Sequence, residues 1–356
     1  MSDAKREIED LRQEIAKLDA QLLAALEKRA RASRRVGELR KDQPASLPLH
    51  DRAAIHALVA RGSEMPQEAL RSIFREVFAG CLSLELPVKV AYVGPEGGAG
   101  HAAARGRFGA SANLICAETT AAALEEVSRR RAEFAVVPFE TSVDGPVHAT
   151  ILALSTSDLR IGEQLEPTFE LHLMNRTGNY GDIEKIYATP ADHALCVEAL
   201  APHVAKTAVL DVKSPMLACQ IAVEDHGAAA LATEVFGVPL GLEVARRNVV
   251  DRNNDRVRYA VVGSRPSGRT GADVTAVVFS VQDAPGSLLD ALHQFAERGI
   301  NLSKIQSRPM QGESWAYLFF VEVSGHFTDR ALITAFEEIK RGTRSFKVLG
   351  SYPALT

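Results

Sequence analysis

The apolar residues of the first forty positions follow one heptad rhythm, which constrains the fold more than any other feature of the sequence. They recur three and four positions apart, as Ile8, Leu11, Ile15, Leu18, Leu22, Ala25, Ala32, Val36 and Leu39. This spacing predicts one long helix with an apolar seam. A lone helix of that length cannot bury its seam, so it needs partners from its own domain or from a second chain.

Two shorter helices are expected after it. The segment QPASLP (43–48) breaks the first helix, a second is predicted at 49–61 before Gly62, and a third begins at Pro66. Residues 1–86 show no strand-like alternation, so we expect an all-α domain there.

From Pro87 onward, short apolar runs alternate with helical stretches, which is typical of an α/β domain with partly parallel sheets. The runs are VKVAYVG, FAVVPFE, FELHLMN, KIYAT, AVLDV, AAALAT and RYAVVG. SRPSGRTGAD (264–273) is a linker by composition. Residues 273–353 then read strand–helix–strand–strand–helix–strand, which predicts a small ferredoxin-like α+β domain.

Composition excludes several classes of function. A net charge of −4 and a pI near 6.2 give no reason to expect nucleic acid or a membrane surface as a partner. The four cysteines are widely spaced and form no CxxC pair. We therefore expect reduced thiols in a cytoplasmic protein, and no metal site.

Arginines interrupt the apolar faces of the helical region. Arg29 occupies a seam position, where an arginine is costly unless it meets an anion. Arg40 lies about 16 Å further along the axis, close enough to converge on one small dianion, and Arg52 is a third cation on an inward face. Arg12 lies about 42 Å from Arg40, so it can share that site only from a second chain. This predicts an intertwined dimer. Glu85 falls on the apolar face of the third helix, although a frayed helix end explains it equally well.

The segments LRQEIAKLD, VGELR and IFREVFAGCLSLE resemble the all-helical chorismate mutases over residues 3–86. The resemblance implies a chorismate site made of Arg12 from the partner chain, Arg29, Arg40, Arg52 and Glu85. Arg40 stands where that family has lysine. Leu49 and Ala53 replace a family aspartate and glutamate, and the glutamate contacts the substrate hydroxyl. We therefore expect a weakened mutase site that is still active.

A glycine loop, VGPEGGAG (93–100), follows the first apolar run of the α/β region. A glycine loop between a strand and a helix binds anions through backbone N–H groups. Neither the phosphate loop nor the dinucleotide fingerprint fits, because no Lys-Ser/Thr pair follows Gly100 and because Pro95 and Glu96 replace small residues. Nucleotides are therefore not expected.

This loop resembles the GPEGTFS-type loop of prephenate dehydratases, and the similarity continues through VVPFETSVDGPV (136–147) and NNDRVRYAVVG (253–263). The resemblance implies two α/β subdomains with a substrate cleft between them, and a carboxylate as the anion at the loop. The implied substrate-loop residues are Gly94, Pro95, Glu96, Gly97 and Gly98. The implied catalytic residues are Glu140, Thr141, Ser142 and Arg258.

The sequence departs from the dehydratase pattern at several positions. Thr141 replaces an asparagine, and Val257 replaces the threonine that is the family's principal catalytic residue. Gly98 and Gly100 replace residues that carry hydroxyls. Tyr259 shares a strand face with Val257, and we interpret it as a core aromatic rather than as a substitute acid.

The segments PGSLLDAL (285–292) and IQSRP (305–309) resemble the two ligand-binding motifs of ACT domains. The resemblance implies feedback inhibition by L-phenylalanine, usually at a dimer interface. The implied effector residues are Gly286, Ser287, Leu288, Asn301, Ser307 and Arg308. Gln306 stands where the family has glutamate.

We therefore predict a multidomain enzyme: an all-α chorismate mutase domain (1–86), a two-subdomain α/β prephenate dehydratase domain (87–265) and an α+β ACT domain (273–353). It would convert chorismate to prephenate and then to phenylpyruvate, without cofactor or metal, as a homodimer or homotetramer. Two alternatives stay open. One is a mutase whose second domain only binds prephenate or alters its chemistry. The other is a non-catalytic protein that binds phenylalanine or prephenate.

Overall fold

The computed structural model describes residues 3–39, 50–62, 64–85, 88–167, 169–204, 207–251, 256–309 and 317–355. The chain divides into two compact units, residues 1–88 with 108–113 and residues 89–107 with 114–356. Within the described ranges, no helix has both the length and the apolar character that a membrane span requires.

The first unit contains three described helices, α1 (Asp3–Leu39), α2 (His50–Val59) and α3 (Gln67–Glu85), which confirms the all-α prediction. α1 packs along α3, and at Gly37 the two backbones approach so closely that a Cβ would overlap Glu85. The first half of α1 has no such cover within the described residues. Its seam side chains are each more than half exposed, namely Ile8, Leu11, Ile15, Leu18 and Leu22.

The second unit is built on two sheets. The larger sheet contains β1 (Lys89–Val93), β2 (Asn113–Ala117), β3 (Phe134–Thr141), β4 (Gly145–Pro146), β5 (Arg160–Leu165), β11 (Val257–Gly263), β12 (Asp273–Ser280), β13 (Leu302–Pro309), β14 (Tyr317–Ser324) and β15 (Ser345–Pro353). The smaller sheet contains β6 (His172–Asn175), β7 (Lys185–Ala188), β8 (Ala208–Asp211), β9 (Ala228–Ala232) and β10 (Glu243–Arg246).

Helices cover both sheets. They are α4 (Ala99–Phe108), α5 (Thr120–Ser128), α6 (His148–Thr156), α7 (Pro190–Ala194), α8 (Val197–Val204), α9 (Pro215–Glu224), α10 (Glu234–Gly237), α11 (Ser287–Ala296) and α12 (Arg330–Gly342). Several begin with a side-chain cap: the Thr119 hydroxyl accepts the Ala122 N–H at 3.1 Å, and the Ser214 hydroxyl accepts the Leu217 N–H at 3.2 Å.

The strand orders confirm the predicted α/β subdomains. The larger sheet runs β13-β14-β12-β15-β5-β11-β3-β1-β2, with β4 paired to β3, and the smaller runs β10-β6-β9-β7-β8. β1 is parallel to β3, and β7 is parallel to both β8 and β9. β11 is antiparallel to its neighbours β3 and β5, so the sheets are partly parallel, as predicted.

The C-terminal elements follow the order β12, α11, β13, β14, α12 and β15. Their strands are arranged as β13-β14-β12-β15, which confirms the ferredoxin-like α+β prediction. β15 also pairs with β5 at Gly350 and Ile161, so these strands extend the larger sheet.

The larger sheet folds back on itself. β3 and β13 are six places apart in strand order, which is about 29 Å in a flat sheet at about 4.8 Å per strand. Lys304 of β13 nevertheless lies 2.5 Å from Glu140 of β3. The rings of Phe139 and Phe320 lie 5.8 Å apart in a buried core that also contains Tyr352. This curvature places the C-terminal strands over β3 and β11.

Two glycines of α4 provide a matched test of the packing around the glycine loop. A Cβ on Gly100 would overlap the carbonyl oxygen of Val93, whereas a Cβ on Gly106 would meet nothing within 4 Å. We expect Gly100→Ala to lower the free energy of unfolding by about 1–3 kcal/mol, because backbone must move. We expect Gly106→Ala to raise it by about 0.5–1 kcal/mol, because the helix loses a flexible residue. Unfolding midpoints measure both, and shifts of the same sign would contradict the prediction.

Candidate active sites

In the helical unit, Arg29 lies between α1 and α3. Its Nη1 donates to the carbonyl oxygen of Val77 at 3.2 Å, and its guanidinium lies 4.3 Å above the ring of Phe78. The side chain is half-buried, which matches its seam position. Glu85 is the last residue of α3 and is also half-buried. The interface between α1 and α3 therefore contains a half-buried cation, Arg29, that can bind an anionic ligand.

Arg12 is exposed on the uncovered half of α1. It lies about 26 Å from Arg29 along the helix axis, so the two side chains cannot hold one small ligand within a single chain. Four mutase positions remain, namely Arg40, Leu49, Arg52 and Ala53. Arg40 and Leu49 lie outside the described residues, and the side chains of Arg52 and Ala53 are not described.

The glycine loop packs against the start of α9. The Met216 N–H donates to the carbonyl oxygen of Glu96 at 3.2 Å, and a Cβ on Gly97 would lie 2.8 Å from the Met216 nitrogen. Both Gly94 and Gly97 have positive φ angles, of +117° and +85°. The N–H groups of Gly94, Gly97 and Gly98 donate to acceptors within the protein, so these three are occupied.

His101 holds this loop from inside the molecule. Its Nδ1 accepts the Gly97 N–H at 2.9 Å, and its ring lies between those of Tyr92 and Phe236, with centroid distances of 4.7 and 4.5 Å. Burial, assisted by the charge of Arg105, lowers the pKa of His101 from 6.5 to about 4. The imidazole is therefore neutral in the folded protein at pH 7, as an acceptor nitrogen requires.

We expect this histidine to make stability depend on pH. The unfolded chain takes up a proton at His101 below about pH 6.5, whereas the folded chain does so only near pH 4. The free energy of unfolding should therefore fall as the pH is lowered through that window. Thermal unfolding at a series of pH values measures this fall, and His101→Gln, which keeps an acceptor, should make it less steep. An equally steep fall in the variant would contradict the assignment.

A charged cavity of about 750 Å³ lies where β3, β4 and β11 meet β13. Its charged lining consists of Glu140, Asp144, Glu166, Arg256, Arg258 and Lys304. Thr141, Ser142 and Gln306 add polar groups to the wall. Three carboxylates and three cations thus line a space large enough for a small organic acid.

The charged side chains form one connected network. Arg258 donates from Nη1 to Glu140 Oε2 at 3.1 Å, and its Nε lies 3.7 Å from Glu166. Lys304 donates to the other oxygen of Glu140 at 2.5 Å. The Glu140 side chain is only 13% exposed, so each of its oxygens is matched by a cation away from bulk water.

Strand pairing explains how the predicted dehydratase residues come together. β3 and β11 are antiparallel, with Glu140 opposite Arg258 and Thr141 opposite Val257. The Thr141 hydroxyl accepts the Asp144 N–H at 2.9 Å. A hydroxyl that accepts one such bond still carries a proton to donate.

Tyr259 has the character of a core residue, as interpreted from the sequence. It is buried, and the burial together with the nearby Asp192 raises the pKa of its phenol. Its ring lies 3.7 Å from the position that a Cβ of Gly100 would take, so it faces the glycine loop. The lining of the charged cavity includes neither Tyr259 nor the loop residues 94–98. In the described structure the predicted dehydratase residues therefore form two separate groups. Residues 140–142 and Arg258 line the charged cavity, and the loop residues 94–98 do not.

The predicted effector residues lie on α11 and β13. Gly286, at a φ of +86°, precedes Ser287 and Leu288 in the first turn of α11. Asn301 precedes β13, and Ser307 is exposed on that strand. Arg308 points the other way and donates to the carbonyl oxygen of Asp144 at 3.2 Å.

Sequence reasoning missed Glu166, Lys304 and Glu322 as parts of this network. A signal for Lys304 was present, because Lys304, Gln306 and Arg308 alternate along β13 and so share one face. That face is half-buried, whereas the intervening Ile305 is exposed. An alternation with polar residues inside indicates a charged contact rather than an apolar core.

Comparison with known proteins agrees with this architecture. Three family models match: chorismate mutase type II over residues 11–86, prephenate dehydratase over 90–267 and the ACT domain over 275–341. A bifunctional chorismate mutase/prephenate dehydratase of Aquifex aeolicus is 36% identical over 356 residues, with 98% of each chain covered. The chain belongs to the bifunctional chorismate mutase/prephenate dehydratase family.

Solved structures support the fold of the second unit. A prephenate dehydratase of Arthrobacter aurescens in complex with L-Phe has a TM-score of 0.63 and 31% identity, covering 75% of this chain and 90% of that one. A quorum quenching acylase has a TM-score of 0.64 at 24% identity, covering 75% of this chain and 98% of that one, and shows a shared fold alone. The full-length family match does not favour the non-catalytic alternative.

Proposed function

We propose that this chain rearranges chorismate to prephenate and then converts prephenate to phenylpyruvate, in the biosynthesis of L-phenylalanine. The observation that carries the proposal is the match over 98% of the chain to a relative named for both activities. The three domains are proposed at 1–86, 87–265 and 273–353. The Arg29 site and the charged cavity support one reaction each.

The mutase step needs no nucleophile. A pericyclic rearrangement is accelerated by folding the substrate and by stabilising the charge that develops on the breaking ether. The Arg29 guanidinium lies above the ring of Phe78 and donates to the Val77 carbonyl, so it is held at the α1–α3 interface, where it can meet a substrate carboxylate. The proposed site also uses Arg40, Arg52 and Glu85, with Arg12 supplied by a second chain.

The dehydratase step is proposed for the charged cavity. Prephenate loses its ring carboxylate and its ring hydroxyl together, driven by aromatisation. Arg258 and Arg256 are cations that bind the substrate carboxylates, and Glu140 orients Arg258. The ring carboxylate leaves as CO₂ and the ring hydroxyl leaves as water, taking up one proton from solvent, while the Thr141 hydroxyl donates a hydrogen bond to the leaving oxygen. The proposed site needs no group from Val257. The Thr141 hydroxyl makes the contact to the leaving group, so the contact is kept although valine stands where the family has threonine.

The same proposal covers regulation and assembly. L-phenylalanine is the proposed effector, bound by the first turn of α11 and by Asn301, Ser307 and Arg308. A homodimer or homotetramer is supported by the uncovered seam of α1 and by Leu289 and Ile305, which are exposed on the C-terminal domain. The enzyme is proposed to be cytoplasmic, since all four cysteines are free thiols.

Separate assays test the two steps. Chorismate loss reports the mutase, and phenylpyruvate formation from added prephenate reports the dehydratase. We expect both rates to exceed the uncatalysed background, and we expect L-phenylalanine to inhibit the second. A chain that binds prephenate without turning it over would contradict the dehydratase assignment.

A further inference from the structure

Lys304 is a C-terminal domain residue that lies inside the charged cavity. Its Nζ donates to Glu140 Oε1 at 2.5 Å and lies 3.3 Å from Glu322 Oε2. The side chain is 22% exposed, against 13% for Glu140 and 7% for Glu322. The ammonium group is therefore held between two largely buried carboxylates contributed by β3 and β14.

A buried network fixes the position of Lys304. Glu322 accepts a hydrogen bond from the Tyr352 hydroxyl at 2.8 Å and another from Gln164 Nε2 at 3.3 Å. Tyr352 is 1% exposed. Because strands β5 and β15 supply these donors, Glu322 cannot turn away, and Lys304 has one preferred place.

The position of Lys304 also affects which nitrogens of Arg258 pair with Glu140. Lys304 pairs with Oε1 of Glu140, and Arg258 donates one hydrogen bond to Oε2, so Arg258 contacts Glu140 through one nitrogen rather than as a two-pronged pair. Among the described residues, Nη1 and Nε of Arg258 have the partners Glu140 and Glu166. Nη2 is then the nitrogen that is left for a ligand carboxylate.

The charge balance points the same way. The four carboxylates are Glu140, Asp144, Glu166 and Glu322, and the three cations are Arg256, Arg258 and Lys304. Removal of the Lys304 charge widens this excess of negative charge beside the binding groups, which would repel a dianionic substrate. We propose that Lys304 is a positioning residue of the dehydratase site, so that the C-terminal domain completes that site. This inference rests on the proposed dehydratase function.

The test compares Lys304→Met with Lys304→Arg and with the control Lys347→Met. Lys347, on β15 of the C-terminal domain, donates to the carbonyl oxygens of Ser155 and Ser157 and does not line the charged cavity. We expect Lys304→Met to lose about tenfold in kcat/KM for prephenate, chiefly through KM, and to bind prephenate about tenfold more weakly by calorimetry. Lys304→Arg should stay within about threefold of the unmodified chain, as should Lys347→Met.

A double-variant comparison separates positioning from general packing. In a Glu140→Gln background the partner charge is gone, so Lys304→Met should cost less than about threefold. Three results would each overturn the inference. They are an undiminished loss of kcat/KM from Lys304→Met in the Glu140→Gln background, equal losses in Lys304→Met and Lys347→Met, and an unchanged kcat/KM in Lys304→Met. A full chain that binds prephenate but does not convert it would contradict the proposed function alone, since the binding comparison still tests Lys304. A chain that does not bind prephenate would overturn both.

Discussion

Replacing Arg29 by methionine is expected to lower the mutase kcat/KM by about a hundredfold while leaving dehydratase activity unchanged. Methionine keeps an apolar stem but removes the guanidinium that lies above the Phe78 ring between α1 and α3. Losing a charged partner of a substrate carboxylate costs about 2–5 kcal/mol, and each 1.4 kcal/mol is a factor of ten in rate. Chorismate consumption under initial-rate conditions measures the effect.

Arg31→Met is the matched control for this prediction. Arg31 lies two residues further along α1, about 200° around the helix, and is exposed. Its replacement should change the mutase kcat/KM by less than about twofold, because an exposed charge contributes little. Equal losses in the two variants would mean that the helix, rather than a placed cation, had been disturbed. An active Arg29→Met would remove Arg29 from the site.

Replacing Arg258 by methionine should lower dehydratase kcat/KM by about a hundredfold and leave the mutase intact. The change removes the proposed carboxylate-binding group, and among the described residues it leaves Lys304 as the one cation paired with Glu140. Arg258→Lys should recover only part of the activity, because lysine lacks the planar fork through which Arg258 lies near both Glu140 and Glu166 while keeping a nitrogen for a ligand. Phenylpyruvate formation from prephenate measures each variant.

Arg129→Met serves as the control for Arg258. Arg129 is exposed at the C-cap of α5, and among the described residues it forms an ion pair only with Glu125, one turn away. Its loss should leave dehydratase activity within about twofold, since exposed pairs of this kind contribute little. Because the mutase residues belong to the first unit and Arg258 to the second, the thermal unfolding of Arg258→Met is measured as well, to show that the second unit is folded. Full dehydratase activity in Arg258→Met would place the site elsewhere, starting with the face of β11 that carries Tyr259.

Much of the fold follows from local patterns in the sequence. The heptad seam predicted α1, and the glycine-bounded apolar runs predicted most strands, since each run buries its own side chains. β5 was missed because RIGEQL is polar, yet Glu163 and Gln164 are buried there. Arg107 donates to Glu163 at 2.6 Å, and Gln164 donates to Glu322 at 3.3 Å. Only tertiary partners make such a strand possible, and a single sequence does not show them.

The candidate sites were predictable only in part, because some of their contacts also depend on tertiary structure. Glu140 and Arg258 were identified by motif, and antiparallel pairing of β3 with β11 places them opposite each other. Lys304 is more than 160 positions from Glu140 along the chain. Its contact depends on the curvature of the whole larger sheet, which no local motif encodes. The mutase residues Arg40 and Arg52 stay predictions from the resemblance.

At the glycine loop, the structure explains one departure from the sequence pattern of the prephenate dehydratases. Gly100 stands where the resemblance implies a serine, and the Val93 carbonyl leaves no room there for a Cβ. The occupied N–H groups of Gly94, Gly97 and Gly98 indicate a loop built to hold α9 and His101 in place.

The most direct test of the central claim is a time course with the purified chain and chorismate, with products resolved by chromatography. The central claim is that one chain carries out both steps although Val257 lacks a hydroxyl. It predicts that prephenate rises and then falls while phenylpyruvate accumulates well above the rate without enzyme. Prephenate that accumulates, with phenylpyruvate forming only at the background rate, would contradict it.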